Sequence, residues 1–174
     1  MRNRAIRKFV FISCVVIIAF SFCFSNESAR ASLPKAEKVV VIKSKRLLIL
    51  LKDGEIFKTY RICLGKQPSG HKIKAGDNRT PEGKYVLDSR NPKSKYHLAI
   101  RISYPNESDI LNAQKLGVSP GGGIMIHGLA QGPRAGRKSA VYSDWTNGCI
   151  AVSNAEMEEI WQLVQDGTPI EIRP

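Results

Sequence analysis

Short apolar runs rich in Val, Ile and Leu, separated by polar turns, make up most of the first half of the chain after residue 37. The strand-like runs of this half occupy residues 38–43, 46–52, 55–64, 83–90 and 96–104. The Asp53-Gly54 pair between the second and third runs is a strong signal for a β-hairpin. Glycines and prolines crowd residues 65–83, so we expect a long loop there.

The second half of the chain adds helix signals to further strand signals. Residues 106–116 are predicted to form a short helix. Further strands are predicted at residues 123–127, 149–152 and 169–172. The best helix follows Ser153, where Glu156 three residues later completes a capping box. Its apolar face carries Met157, Ile160, Trp161 and Val164. We therefore expect a mostly β fold with minor α, in which a well-formed helix follows Cys149 and a shorter helix precedes His127.

Length and composition agree with a single packed domain. The chain has 174 residues, of which 43% are hydrophobic, with 14 glycines and 9 prolines. That length suits one ordinary domain, and the composition excludes disordered, collagen-like and coiled-coil chains. The sequence contains neither an internal repeat nor a second domain.

The first 31 residues have the three-part layout of a secretory signal peptide. Four basic residues between positions 2 and 8 precede a charge-free run at 9–24, and a polar stretch follows up to Ala31. As a helix, that run of 16 residues would be about 24 Å long, short of a hydrocarbon core of roughly 30 Å. Cleavage is therefore favoured over a permanent anchor. We expect a signal peptide at 1–31, a linker at 32–37 and the domain at 38–173, exported to the periplasm or cell-wall space with no membrane span left.

The charge balance changes when the leader is removed. The whole chain has a formal net charge of +12, and loss of five basic residues and one acidic residue with the leader leaves +8. The remaining chain has no run of five or more like charges, so a solvated basic surface and a footprint for an anionic partner both stay open. With 7% aromatic residues and no stripe of alternating aromatic and basic residues, a nucleic-acid partner is not expected.

His127 and Cys149 are the candidate catalytic pair, because each stands at the end of a predicted strand. A thiol with an ordinary pKa of about 8.5 is mostly protonated at neutral pH, so a cysteine nucleophile needs a base such as imidazole. Gly148 leaves room for the carbonyl group of a substrate. The backbone N–H groups of residues 146–149 are candidate donors for an oxyanion hole.

Simpler interpretations of the other cysteine and histidines stay open. Cys63 lies among apolar residues and is expected to be a small buried hydrophobe, with a Cys63–Cys149 disulfide as the alternative in an exported chain. His71 is expected at the surface of the long loop, and His97 either packs in its strand or lines the same cleft as His127. The spacing of the histidines and of the remaining cysteines matches no zinc motif, so no metal is expected.

Residues 38–173 resemble the L,D-transpeptidase catalytic domain (YkuD-like) of bacterial cell-wall enzymes. A His-Gly pair followed about twenty residues later by Ser/Thr-x-Gly-Cys marks that family, and His127-Gly128 with the Thr-Asn-Gly-Cys of 146–149 matches it. The stretch NRTPEGKY at 78–85 resembles the family's Thr-Pro-x-Gly strand entry. The resemblance implies a β-sandwich of mixed sheets.

The resemblance also implies a mechanism. Cys149 attacks a peptidoglycan stem tetrapeptide at the bond between its diamino acid and the terminal D-alanine, with His127 as proton acceptor and donor. Release of D-alanine leaves a thioester. An amine of a second stem or a lysine of an envelope protein resolves the thioester, whereas water would give an L,D-carboxypeptidase. No metal or organic cofactor is implied. The residues implied in oxyanion stabilisation or substrate binding are Gly128, Thr146, Asn147, Gly148, Tyr142 and Trp145.

Ala151 departs from the family pattern, because many members place an arginine two positions after the cysteine. A contact made by that arginine is absent here or comes from another basic residue, for which Arg134, Arg137 and Lys138 are candidates.

Two rival functions come from other classes of protein. A papain-like peptidase places its cysteine before its histidine in the chain, so the reverse order found here argues against that class. A non-catalytic module that binds the anionic cell wall through its +8 charge is the remaining alternative.

Overall fold

A computed structural model describes residues 33–130 and 143–174 of the protein. Several sequence-based predictions fall on residues outside these ranges, namely the signal peptide at 1–31 and the roles of Tyr142, Arg134, Arg137 and Lys138.

Strands dominate the described residues. The strands are β1 (Lys38–Ile42), β2 (Leu47–Lys52), β3 (Glu55–Arg61), β4 (Gly83–Ser94), β5 (His97–Ile102), β6 (Met125–His127), β7 (Ile150–Ala151) and β8 (Thr168–Arg173). The helices are α1 (Glu107–Lys115), which precedes β6, and α2 (Asn154–Leu163), which follows β7. The predicted mostly β fold with minor α is confirmed. Within the described ranges, neither helix is both long and apolar enough to cross a bilayer.

All eight strands belong to one mixed sheet in the order β3-β2-β1-β8-β4-β5-β6-β7. The β1–β8 and β6–β7 pairs are parallel and the other pairs are antiparallel. Just after β3, Cys63 exchanges two backbone hydrogen bonds with Ala151 of β7, at 2.8 and 2.9 Å. The chain that leaves one edge of the sheet therefore pairs with the other edge, so the sheet curls around a single hydrophobic core.

The β2–β3 hairpin forms where the sequence predicts it. Asp53 and Gly54 have φ values of 52° and 78°, the left-handed values that a type I′ turn requires at both central positions. The predicted loop at 65–83 contains no strand or helix until Gly83 starts β4.

Helix α2 is capped and buried as its sequence predicts. The side chain of Ser153 accepts a hydrogen bond from the Glu156 amide, and the Glu156 side chain accepts one from the Ser153 amide. Met157, Ile160 and Leu163 are buried in the core. The capping box begins α2 directly after β7, so it fixes the point at which the chain turns from β7 into the helix.

Helix α1 packs through its polar side. Its buried residues are Asp109 and Ala113, whereas Ile110, Leu111 and Leu116 are between 40% and 61% exposed. The Asp109 carboxylate accepts hydrogen bonds from the Asn106 amide and the Tyr85 hydroxyl, each at 3.0 Å. A buried carboxylate with such donors anchors the helix, and its apolar residues are left on the outside.

Candidate active site

His127 and Cys149 lie on the face of the sheet that is turned away from the core. In the parallel β6–β7 pair, Ile126 is opposite Ile150, and both belong to the core cluster. Side chains alternate between the two faces of a sheet, so the residues next to these isoleucines point to the other face. Cys149 comes just before β7 and His127 ends β6, so their side chains project from adjoining strands on one face.

The His127 imidazole is held as a neutral base. Its side chain is buried, with 3% of the residue exposed, and Nδ1 lies 2.7 Å from the carbonyl oxygen of Gly128. A carbonyl oxygen only accepts hydrogen bonds, so Nδ1 carries the proton and Nε2 carries the lone pair. Burial lowers the pKa of His127, against the hydrogen bond to Gly128, and the nearby charge of Lys95 lowers it further. The imidazole is therefore ready to accept a proton at Nε2.

Two aromatic rings enclose the imidazole. Tyr96, in the turn between β4 and β5, stacks on His127 with ring centroids 4.5 Å apart and an interplanar angle of 26°. Trp145 meets the imidazole edge to face at 5.8 Å. Trp145 was a predicted cleft residue, but Tyr96 was not. Strand pairing explains why Tyr96 reaches the imidazole. Strand β5 pairs with β6, and Ala99 is opposite His127, so the turn before β5 lies over the imidazole.

The Cys149 sulfur is a protonated thiol at neutral pH. Burial raises the pKa of this thiol above its ordinary value, although a hydrogen bond from the Met125 amide and the charge of Lys72 oppose the shift. Sγ lies 3.6 Å from the carbonyl oxygen of Gly123. With a protonated thiol and a neutral imidazole on the same face of the sheet, any attack by the sulfur has to be accompanied by loss of the thiol proton.

The predicted oxyanion segment is a tight turn organised by Thr146. The Thr146 hydroxyl accepts a hydrogen bond from the Gly148 amide at 3.1 Å and donates one to the Cys149 carbonyl oxygen at 2.7 Å. Gly148 has a φ of 130°, and a Cβ added there would lie 2.6 Å from the backbone oxygen of Arg79. Only glycine fits this position, because a side chain would meet backbone that cannot move aside. Asn147 is exposed, and its Oδ1 accepts from Lys66 Nζ at 3.2 Å.

Gly128 allows the segment after His127 to pack closely. A Cβ added at Gly128 would lie 2.5 Å from Oδ1 of Asn154 and 3.1 Å from the backbone oxygen of Tyr96. The same Asn154 oxygen accepts a hydrogen bond from the Leu129 amide at 2.6 Å. Gly128 therefore serves the site by its small size and by the carbonyl that orients the imidazole.

An ion pair ties the segment that carries Trp145 to the turn between β1 and β2. Arg46 Nε lies 3.1 and 3.0 Å from the two carboxylate oxygens of Asp144, and Nη2 lies 2.6 Å from Oδ2. The Leu64 amide donates to Asp144 Oδ1 at 2.8 Å, and the Thr146 amide donates to the Leu64 carbonyl at 3.2 Å. The ion pair was not apparent in the sequence, since its partners are 98 positions apart.

Cys63 and Ala151 are paired through their backbones close to the candidate residues His127 and Cys149. Cys63 is buried, with 1% exposed, as expected of a small hydrophobe, and no disulfide joins Cys63 to Cys149 within the described residues. Ala151 is fully buried and is paired with His127 on one side and Cys63 on the other. The place where many family members have arginine is therefore enclosed here between β6 and the segment just after β3.

The other two histidines have structural partners. His97 Nε2 lies 2.9 Å from a carboxylate oxygen of Glu158 on α2. His71 is half-buried rather than a simple surface residue: its Nδ1 accepts from the Glu82 amide at 3.0 Å, and its Nε2 lies 3.1 Å from Asp109 Oδ1. Among residues 33–130 and 143–174, no cluster of three or more His, Cys, Asp or Glu side chains has the arrangement of a metal site.

The fold and the site define a mostly β domain with a histidine at the end of β6 and a cysteine just before β7, the parallel neighbour of β6. A family model for the YkuD L,D-transpeptidase catalytic domain matches residues 36–172. The chain belongs to this family of L,D-transpeptidase catalytic domains.

Individual relatives agree with this assignment. The chain is 30% identical over 132 residues to the putative L,D-transpeptidase YafK of Escherichia coli (strain K12), covering 72% of this chain and 46% of the relative. Its fold is similar to that of the helical cell shape determining protein Pgp2 from Campylobacter jejuni, with a TM-score of 0.61 and 30% identity over 80% of this chain and 48% of Pgp2.

A more distant structure shares the fold alone. An L,D-transpeptidase from Mycobacterium smegmatis has a TM-score of 0.54 and 18% identity, over 80% of this chain and 59% of its own.

The chain spans about half the length of YafK and Pgp2.

Proposed function

We propose that the protein is an exported L,D-transpeptidase that acts on peptidoglycan stem peptides with Cys149 as nucleophile and His127 as proton acceptor and donor. The observation that supports this most is the tautomer of His127, whose Nδ1 is engaged by Gly128 so that Nε2 is the basic atom. Membership of the family supplies the reaction class. The layout of residues 1–31 supports export.

In the first half-reaction, His127 Nε2 takes the Cys149 proton as sulfur attacks the carbonyl carbon between the diamino acid and D-alanine. The tetrahedral intermediate collapses, the carbon–nitrogen bond breaks, and the imidazolium returns the proton to the leaving D-alanine nitrogen. A thioester between the stem and Cys149 remains. In the second half-reaction His127 deprotonates an incoming amine, which attacks the thioester and restores the thiol.

Two backbone amides are the proposed donors to the oxyanion. Thr146 and Gly148 already donate their N–H groups, to the Leu64 carbonyl at 3.2 Å and to the Thr146 hydroxyl at 3.1 Å. Within 146–149 we therefore assign the role to the amides of Asn147 and Cys149. Such donors are commonly the largest electrostatic contribution to acyl transfer.

The acyl acceptor determines the product. A side-chain amine of a second stem gives a 3→3 cross-link, a lysine of an envelope protein gives attachment of that protein, and water gives carboxypeptidase activity. To test the proposal, the purified protein is incubated with a disaccharide-tetrapeptide and the products are followed by mass spectrometry. Loss of D-alanine with a 3→3 dimer supports the transpeptidase, and loss of D-alanine alone supports the hydrolase. An unchanged substrate with an intact thiol would contradict both and favour the wall-binding module.

The protonated thiol and the neutral imidazole predict distinctive pH dependences for thiol alkylation and for kcat/KM. Because burial raises the pKa of Cys149 above its ordinary value, alkylation of free enzyme by iodoacetamide is expected to stay slow at neutral pH and to rise only in alkaline solution. Because burial lowers the pKa of His127 below 6.5, the acid-side fall in kcat/KM is expected below pH 6.5. Peptide mapping of the alkylated cysteine measures the pH dependence of alkylation, and initial rates across the pH range measure the fall in kcat/KM. A fast, pH-independent alkylation across neutral pH would instead indicate a thiolate–imidazolium pair.

The Arg46–Asp144 ion pair is expected to matter for catalysis although it touches no substrate. Substitution Asp144→Ala removes the partner of Arg46 and of the Leu64 amide, so the segment that carries Trp145 loses one of its anchors next to the imidazole. We expect kcat/KM for D-alanine release to fall about 10- to 100-fold, the usual effect of a misplaced catalytic group. Asp166→Ala is the matched control, because Asp166 pairs with Arg90 at 2.8 Å beyond the end of α2. Equal kcat/KM values for Asp144→Ala and Asp166→Ala would show that the Arg46–Asp144 ion pair has no positioning role in catalysis.

A further inference from the structure

Lys43, the residue after β1, is a buried ammonium group with three acceptors. The residue is 2% exposed. Its Nζ donates hydrogen bonds to the carbonyl oxygens of Gly70 and Thr80 at 2.7 and 2.9 Å and to the Glu82 carboxylate at 2.8 Å. These oxygens only accept, so the contacts use all three N–H groups of a protonated lysine. Burial lowers the pKa of Lys43, and the hydrogen bond and charge of Glu82 oppose the shift. The ammonium group therefore fastens the loop at 65–83 to the end of β1.

Thr80 ties the same loop to the chain that follows β3. Thr80 is fully buried, and its hydroxyl accepts a hydrogen bond from the Gly65 amide at 3.1 Å. Gly65 forms a parallel bridge with Thr146, and the Lys66 amide donates to the Thr146 carbonyl oxygen at 3.0 Å. Thr146 is the first residue of the oxyanion turn, residues 146–149, which contains the proposed oxyanion donors. Hydrogen bonds therefore connect the loop to this turn.

The loop also contacts the oxyanion turn directly through its backbone. A Cβ added at Gly148 would lie 2.6 Å from the backbone oxygen of Arg79. A Cβ added at Gly65 would lie 2.1 Å from the backbone oxygen of Asn78 and 3.1 Å from the Cα of Gly148. Packing this close leaves no room for one segment to shift without displacing the other. The position of the loop therefore sets where the oxyanion turn lies.

We propose that Lys43 and Thr80 are positioning residues, which hold the loop against the oxyanion turn and so place its donor amides for the reaction. This role rests on the proposed function, because the oxyanion forms only in acyl transfer. Both side chains are buried, so they act on the reaction through the backbone and without touching the substrate. Hydrogen bonds weaken steeply as their geometry worsens, so a small shift of the turn removes much of the oxyanion stabilisation.

The test compares a reaction of Cys149 that forms an oxyanion with one that does not. Acylation by a carbapenem passes through a tetrahedral oxyanion, whereas alkylation by iodoacetamide is a displacement at a saturated carbon. For Lys43→Met we expect acylation to slow about 10- to 100-fold. Alkylation at the same pH should keep its rate, because the lysine charge that acts on the Cys149 thiol is that of Lys72. Mass spectrometry follows both adducts over time.

A second set of variants decides the case in which Lys43→Met does not fold. Thr80→Val removes the acceptor of the Gly65 amide and keeps the shape of the side chain, so acylation should slow about 10-fold with alkylation unchanged. Thr80→Ser keeps the hydroxyl and should restore most of the acylation rate. Lys38→Met is the matched lysine control, because Lys38 lies at the other end of β1 and pairs with Glu171 at 2.5 Å. Neither rate should change in this control.

Two results would overturn the positioning role. The first is an acylation rate that stays unchanged in Lys43→Met and Thr80→Val. The second is an equal loss of acylation and alkylation, which a general disturbance of the fold would cause.

Amide hydrogen exchange distinguishes a failure of the positioning role from a failure of the proposed function. An unsubstituted enzyme that reacts with neither carbapenem nor tetrapeptide would remove the function. Faster exchange at the Gly65, Thr146 and Gly148 amides in Lys43→Met, relative to the amides of α2, would still show that Lys43 holds the turn. Exchange equal to that of the unsubstituted protein would show that it does not.

Discussion

Substitution of Cys149 by alanine is expected to abolish acyl-enzyme formation and to lower D-alanine release by at least about 10⁴-fold, the scale seen when a nucleophile is removed from a catalytic unit. The thioester cannot form without this sulfur. Intact-mass spectrometry after incubation with tetrapeptide or with a carbapenem measures the adduct, and thermal unfolding checks that the fold is kept.

Cys63→Ala is the matched control for this experiment. Cys63 is 1% exposed and is paired through its backbone with Ala151, so its thiol is not accessible to a substrate. We expect the control to keep D-alanine release within about two-fold of the unsubstituted enzyme and to lose about 1 kcal/mol of stability from the small cavity. An adduct that persists in Cys149→Ala but disappears in Cys63→Ala would show that the nucleophile has been misassigned.

Substitution of His127 by asparagine has the second largest expected effect, a fall in kcat of about 10³-fold, within the usual range for loss of a general acid–base group. With no imidazole, sulfur attacks only as the thiolate that solvent generates. The remaining rate of carbapenem acylation should therefore rise with pH through the thiol pKa, which burial raises above its ordinary value. Stopped-flow or mass-resolved acylation rates at several pH values measure this.

His97→Asn serves as the control for the histidine. His97 contacts Glu158 at 2.9 Å and has a φ of 72°, a conformation that asparagine tolerates better than most residues. We expect the acylation rate and the pH profile of His97→Asn to match those of the unsubstituted enzyme. A His127→Asn variant that retains the neutral-pH rate would assign the proton transfers to another group.

Much of the secondary structure is readable from local sequence. The Asp53-Gly54 turn forms because both residues tolerate positive φ, and α2 starts at Ser153 because Ser153 and Glu156 satisfy each other's amides. These interactions involve residues at most a few positions apart, so they are present in the sequence itself.

Helix α1 shows where local reasoning stops. Its position was predicted, but Leu111 and Leu116 are exposed and Asp109 is buried. The orientation is decided by the Tyr85 hydroxyl and by His71, which come from other parts of the chain. A buried carboxylate with enough partners outweighs the hydrophobic pattern of a short helix.

The sequence by itself determined the alternation that makes the strands and the caps and turns that end them. It also singled out His127 and Cys149 as candidates among three histidines and four cysteines. The tertiary structure decided the rest. The parallel register of β6 and β7 puts both side chains on one face, and burial sets the direction of both pKa shifts. Tyr96 and the Arg46–Asp144 pair reach the site through long-range packing. Periodicity and capping depend on near neighbours, whereas desolvation, ring stacking and ion pairing depend on which distant segments meet.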